Sequence, residues 1–135
     1  MEKEDIEMIK DSINKMIKQI VNTCESWVVE GEDGLLRFVD PIDGEEISAH
    51  YGATHAAVSF ILYGEKTGND ELLNLGYELL ASILKRWKSS MKLPAFHNDF
   101  NNFALCVAWE YFDKNNTKEK YANKIKELVL STPDS

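Results

Sequence analysis

The sequence predicts an all-α domain built from helical hairpins, and three observations support this fold class. Apolar residues recur at three- and four-residue intervals along most of the 135 residues, as in helices with one buried face. Segments of this kind alternate with segments that are apolar almost all round. A 48-residue repeat pairs Tyr63-Gly64-Glu65-Lys66 with Tyr111-Phe112-Asp113-Lys114, and His50-Tyr51 with Asn98-Asp99. A repeat of this length is one hairpin, which must stack on a neighbour to bury its apolar face.

The composition limits the classes of partner. A formal net charge of −8 argues against nucleic acid and against anionic membranes, because polyanions bind clustered Lys and Arg side chains. No apolar run reaches the ~20 residues of a membrane span, and the acidic N-terminus is unlike a signal peptide. We therefore expect a cytoplasmic protein. Cys24 and Cys106 fall in apolar helical stripes and are predicted to be reduced core cysteines, with a disulfide or nucleophilic role as the alternative.

The first helix is predicted over residues 2–29, as the outer helix of a single domain spanning residues 1–135. One apolar stripe is predicted to be buried along it: Ile6, Ile9, Ile13, Ile17, Ile20, Cys24, Trp27 and Val28. Gly31 and Gly34 follow it. Residues 30–48 form a long loop, in which two turn signals flank a short apolar run that predicts a small strand or hairpin. A connection of this length favours a functional role.

Two predicted hairpins follow, over residues 49–90 and 91–131. The first joins a helix over residues 49–65, apolar on nearly every side, to a two-faced helix over residues 70–89, with Asn69 or Asp70 as its cap. The second joins a buried helix over residues 99–114 to a two-faced helix over residues 118–130. This order predicts a double layer of inner and outer helices, which is an incomplete α/α-toroid of about five helices. An ordinary orthogonal helical bundle is the alternative.

Two segments that open the inner helices resemble a known class of enzymes. They are Ala49-His50-Tyr51-Gly52-Ala53-Thr54-His55 and Pro94-Ala95-Phe96-His97-Asn98-Asp99-Phe100-Asn101-Asn102-Phe103-Ala104-Leu105. Their mixture of aromatic and amide groups resembles the sugar-binding segments of the α/α-toroid (six-hairpin) carbohydrate-active enzymes, which include glycosidases and polysaccharide lyases. A closed toroid has about twice as many helices, so this chain would be an open arc, a fragment, a truncated relative or one protomer of a ring. Its open apolar faces predict a homo-oligomer or a part of a larger assembly.

The resemblance implies a site at the rim where the inner helices begin. The expected catalytic residues are His50, Tyr51, His97 and Asp99, and the expected substrate-binding residues are Asn98, Asn101 and Asn102. For elimination from a uronic acid, a histidine would be the base, Tyr51 the acid and an asparagine amide the group that neutralises the carboxylate. The alternative is structural: Asn98 or Asp99 caps the helix, and the other amides hold the loop in place.

Hydrolysis of a glycosidic bond would require a second carboxyl group beside Asp99. Asp43, Glu45 and Glu46 in the long loop are candidates, and so is Glu110, which is predicted to lie deep in a buried helix. No metal or cofactor is predicted, because His50 and His55 are five residues apart and do not share a helix face. His55 is expected to be a hydrogen-bonded core histidine.

Two functions from different classes follow. The first is a carbohydrate-active enzyme domain with a glycan or small-molecule ligand at the rim. The second is a non-catalytic helical-repeat module that binds a protein or peptide, or that assembles with itself.

Overall fold

The computed structural model describes residues 2–47 and 52–88, together with six single helical positions: Cys106, Trp109, Glu110, Asp113, Lys114 and Asn123. Along the two continuous ranges the elements are α1 (Lys3–Glu25), β1 (Val28–Glu30), β2 (Leu36–Phe38), α2 (Thr54–Thr67) and α3 (Asp70–Lys88). The chain is thus mostly helical, which confirms the predicted class, with a small two-stranded sheet. Among the described helices, none is both long enough and apolar enough to cross a membrane.

α2 and α3 form a tight helical hairpin, as the sequence predicts. Gly68 ends α2 in the left-handed conformation, with φ +71°, which glycine adopts without strain. Asn69 then caps α3, since its Oδ1 accepts the N–H of Leu72 at 3.1 Å. The predicted stripe of α3 is buried at each position whose side chain is described: Leu72, Leu73, Leu79, Leu80, Ile83 and Leu84. The charged side chains of Glu71, Glu78 and Lys85 are exposed, so the two-faced prediction is confirmed.

The described core lies between these two helices and the sheet. α2 contributes Ala57, Val58, Phe60 and Ile61, β2 contributes Phe38, and α1 contributes Val21. Among the α2 residues upstream of its final turns, Ser59 is exposed, and the helix is otherwise buried or half-buried. The prediction of a helix that is buried almost all round is therefore confirmed over this range.

The small hairpin predicted in the long loop is present. β1 and β2 are antiparallel, with Val28 opposite Phe38 and Glu30 opposite Leu36. Gly34 lies in the turn with φ +79°. Residues 39–47 then fold back on the sheet, where Val39 forms an isolated bridge with Glu46. The side chain of Ser82 on α3 accepts the N–H of Leu36 at 2.9 Å, which ties the sheet to the helical hairpin.

The prediction for the first helix is wrong in two respects. The helix ends at Glu25 instead of residue 29, because Trp27 and Val28 belong to the turn and the strand. The Ser26 hydroxyl donates to the carbonyl of Thr23 at the end of α1. The predicted apolar stripe is also largely exposed, and Val21 is the buried residue of α1. The reason is that α1 packs on the core near its C-terminal end, through Val21 and Cys24, so most of its length has no described element against it.

Two expectations for the fourth helix also need correction. Cys106 is exposed and so is not a core cysteine, whereas Cys24 is half-buried against the core; both are free thiols. Glu110 is exposed, not deeply buried. Both side chains are thus exposed at the positions that the structure describes there. The remainder of the hairpin over residues 91–131, and with it the 48-residue repeat, lies outside the described residues.

Candidate functional site

The predicted rim site lies outside the described part of the chain. This applies to all seven of its residues: His50, Tyr51, His97, Asn98, Asp99, Asn101 and Asn102. Their roles in elimination, hydrolysis or helix capping therefore stay predictions, and the described geometry brings none of them together.

The start of α2 adjoins that predicted rim. Thr54 is fully buried, and its Oγ1 has no hydrogen-bond partner among the described residues; the same is true of Nδ1 of the half-buried His55. The expected hydrogen-bonded core histidine is therefore not found at this nitrogen. Buried polar atoms are usually paired, and residues 48–51, directly before α2, lie outside the described chain.

Two of the three loop carboxylates proposed for hydrolysis, Asp43 and Glu46, make structural contacts. Asp43 accepts the N–H of Glu45 at 2.9 Å in a turn. Glu46 binds Arg86 of α3, with 2.8 Å between Oε2 and Nη1, and lies 3.7 Å from Nε of Arg37. The side chain of Arg86 is only 7% exposed, so its charge needs this carboxylate nearby. Glu46 thereby fixes the end of the long loop to α3.

A second ion pair closes the β-hairpin. Arg37 forms two parallel hydrogen bonds to Asp33, each 2.8 Å long. These bonds, together with the backbone N–H of Leu35 that Asp33 also accepts, hold the pKa of the Asp33 carboxyl well below its usual range. A carboxylate held in this way is fully ionised near neutral pH and is a poor general acid.

A cleft of about 410 Å³ lies between the β-hairpin and α3. Glu30, Glu78 and Lys85 contribute charge to it, and Ser82 lies on its wall. The Ser82 hydroxyl already accepts the N–H of Leu36, and the side chains of Glu30, Glu78 and Lys85 are exposed. Among the described residues, no cluster of three or more His, Cys, Asp or Glu could hold a metal ion. The cleft therefore lacks a buried reactive group.

The most unusual surface of the described chain is on α1. Six apolar side chains along it form what we call the α1 apolar face: Ile6, Ile9, Ile13, Met16, Ile17 and Ile20. Each is 39% to 58% exposed. α1 has 23 residues, which makes it about 35 Å long. Contiguous exposed apolar surface of this kind marks interaction sites in proteins.

The predicted stripe contained five of the six residues of this face, all but Met16, but it was predicted to be buried. Helical periodicity shows which side chains share a face, but it does not show what packs against them. A further signal was present in the 3-4-3-4 spacing of Ile6, Ile9, Ile13, Met16 and Ile20. That spacing is typical of a helix that pairs with one other helix, whereas a helix on a globular core usually has a wider stripe.

Comparison of the chain with protein-family models, with curated proteins and with solved structures found no match.

Proposed function

We propose that this chain is a non-catalytic helical module that works by binding an amphipathic helix of a protein through the α1 apolar face. The observation that carries the proposal is the exposure of six large apolar side chains in one row on a helix that packs on the described part of the core near one end only. Burial of apolar surface stabilises an interface by roughly 25 cal/mol per Å² before the costs of association. A row of isoleucines at helical spacing is the surface that a helix-in-groove or helix-pair contact uses.

The electrostatics of the chain support a protein partner. With a net charge of −8, the surface repels polyanions at long range. The α1 apolar face itself is uncharged, and the charged side chains of Asp5 and Lys10 lie beside it. An apolar centre with a charged rim is the usual anatomy of a protein–protein interface.

Photo-cross-linking in the native cells tests this function. A photoreactive phenylalanine analogue at Met16, on the α1 apolar face, should give a discrete protein adduct whose cross-linked peptide has apolar residues at i, i+3 and i+7. The matched control is the same analogue at Met8, which is 68% exposed on the same helix but off the face. Adducts of equal yield from both positions, or none from Met16, would contradict the proposal.

The second candidate function is the carbohydrate-active enzyme with the rim site. It is supported by the α2–α3 hairpin, in which a largely buried helix is followed by a two-faced one, as the α/α-toroid arrangement requires. Under this proposal the chain is an open arc, and the hairpin over residues 91–131 repeats the packing of the first. This second function predicts that His97→Ala loses cleavage of a uronate polymer. The control Glu71→Ala, at an exposed position, should keep normal activity.

A further inference from the structure

We propose that the helix that covers the α1 apolar face is α1 of a second copy of this chain, paired in parallel as a short two-stranded coiled coil. This inference rests on the proposed function, and it names the partner.

The spacing along α1 is that of a coiled-coil heptad, in which positions a and d form the contact with the partner helix. Ile6, Ile13 and Ile20 occupy a, and Ile9, Met16 and Thr23 occupy d. Five of these six side chains are large and apolar, over nearly the whole of α1. All three a positions here are isoleucine, a β-branched residue that is common at position a of parallel coiled coils.

The residues at positions a and d form a row that we call the seam. The seam is separate from the contact that α1 makes with its own core. Val21 is 5% exposed, whereas the adjacent Ile20 is 58% exposed. Val21 and Cys24, which pack on the core, are at heptad positions b and e, so they lie to one side of the a and d row. The helix can therefore keep its attachment to the domain while the seam contacts another molecule.

The charges beside the seam select the parallel orientation. In a parallel pair, position g of one helix lies near position e of the next heptad on the other helix. Asp5 is at g and Lys10 is at the following e, so the two copies form two opposite-charge pairs. In an antiparallel pair, g faces g and e faces e. The g residues (Asp5, Ser12, Gln19) include no cation and the e residues (Lys10, Ile17, Cys24) no anion, so no register supplies an opposite-charge pair.

The stability of α1 points in the same direction. Most of the stability of a helix in a protein comes from packing of its apolar face, not from intrinsic propensity. α1 has an N-terminal residue, Glu2, that makes no side-chain capping bond, and its last turn has no basic residue. It packs on the described core near its C-terminal end only. A second α1 would supply a contact along the whole face, and a second copy is present wherever the chain is made.

Site-specific disulfide formation tests both the partner and the orientation. Both native cysteines are first removed by Cys24→Ala and Cys106→Ala. A single cysteine is then introduced at one of two seam positions, by Ile6→Cys or Ile20→Cys, or off the seam as a control, by Met8→Cys. Each purified chain is treated with oxidised glutathione. Cysteines at one a position of an in-register parallel pair are within the ~4.4–6.8 Å Cα separation that a disulfide requires. Residues 6 and 20 are separated by about 21 Å along a helix.

The proposal predicts covalent dimers from Ile6→Cys alone and from Ile20→Cys alone, and at most trace dimer from Met8→Cys. Dimers that form only when Ile6→Cys and Ile20→Cys chains are mixed would show antiparallel pairing and overturn it. So would the absence of dimers from every variant. In that last case a cellular cross-link at Met16 to a helix of another protein would still support the proposed function, so the two failures can be told apart.

Discussion

At the scale of single residues, the ion pair of Arg37 with Asp33 makes the stability of the β-hairpin depend on pH. The pKa of Asp33 is lowered in the folded chain, first by the side-chain hydrogen bonds from Arg37. A carboxyl group of this kind stabilises the fold above its unfolded pKa, near 4, and that contribution is lost as the pH falls below this value toward the folded pKa.

We therefore expect Asp33→Asn to lower the melting temperature at pH 7, and we expect the difference from the wild-type chain to shrink steadily below about pH 4. Thermal unfolding followed by circular dichroism at a series of pH values measures this. Asp43→Asn is the matched control: it removes the same charge from an exposed turn in which the described partner is a backbone N–H. An equal pH dependence in both variants would contradict the role of the ion pair.

Gly76 is a second single residue on which the fold depends, because it lets α2 and α3 approach closely. A Cβ atom at this position would lie 2.7 Å from the carbonyl oxygen of Ala57 and 2.9 Å from the backbone N of Ile61. Neither backbone atom can move without separating the helices.

Gly76→Ala should therefore destabilise the chain by about 1–3 kcal/mol, as overpacking of a core does, although alanine is the better helix former by about 1 kcal/mol. Urea denaturation measures the change. Asn74→Ala, at an exposed position of α3, isolates the propensity effect and should stabilise slightly. A Gly76→Ala variant at least as stable as the wild-type chain would refute the close contact.

At the scale of elements, the described chain has one well-anchored unit and one helix that packs on this unit near one end. α2 and α3 bury apolar side chains against each other, and α3 is joined to the sheet by Ser82 and to the long loop by Arg86. α1 has such support only near Val21 and Cys24. Local stability follows the number of buried apolar contacts, so the two units should open independently.

Hydrogen exchange followed by mass spectrometry should separate these units. Backbone amides over residues 6–18 should exchange rapidly in a dilute chain and more slowly as its concentration rises, because pairing buries the seam. Amides of α3 should stay protected throughout. Ile13→Glu should exchange rapidly over residues 6–18 at every concentration, whereas Met8→Glu should behave like the wild-type chain. Protection of residues 6–18 that is independent of concentration would contradict this account of α1.

Elements were predicted well from the sequence where the spacing of apolar residues fitted a helix or a strand, but not both. The α3 leucines recur at helical intervals, and Gly68-Asn69 supplies a helix stop followed by a cap, so both ends of the turn were predictable. Trp27 and Val28 also fitted the helical stripe of α1, but β-branched and aromatic residues favour strands when a partner strand is near. That partner, Leu36–Phe38, is distant enough in sequence that local periodicity could not include it.

The candidate site was less predictable, for a different reason. The isoleucines of α1 were expected to face a core within this chain, because amphipathic periodicity is the same for an internal and an external partner. The rim residues around His50 and His97 lie outside the described chain, and their role remains a prediction. Glu46 was a candidate because carboxylates can act in catalysis. In the structure it pairs with Arg86, which is 40 residues away in sequence and is brought near only by the fold.

At the scale of the whole molecule, we expect the exposed isoleucines of α1 to determine whether the chain associates with itself. Each is at a position where a change to a charged residue leaves the described core intact, since the core is made by α2, α3, Phe38 and Val21. Ile13→Glu should therefore fold like the wild-type chain and fail to pair, because its two carboxylates would face each other in the seam.

Sedimentation equilibrium over a range of concentrations is the most direct test of this central claim. The wild-type chain and Met8→Glu should approach twice the chain mass of 15.4 kDa and dissociate on dilution. Ile13→Glu should weaken this association by more than about tenfold, or about 1.4 kcal/mol, with an unchanged circular dichroism spectrum of the helical hairpin. A wild-type chain that stays at 15.4 kDa at every concentration, or an Ile13→Glu chain that associates as strongly, would contradict it.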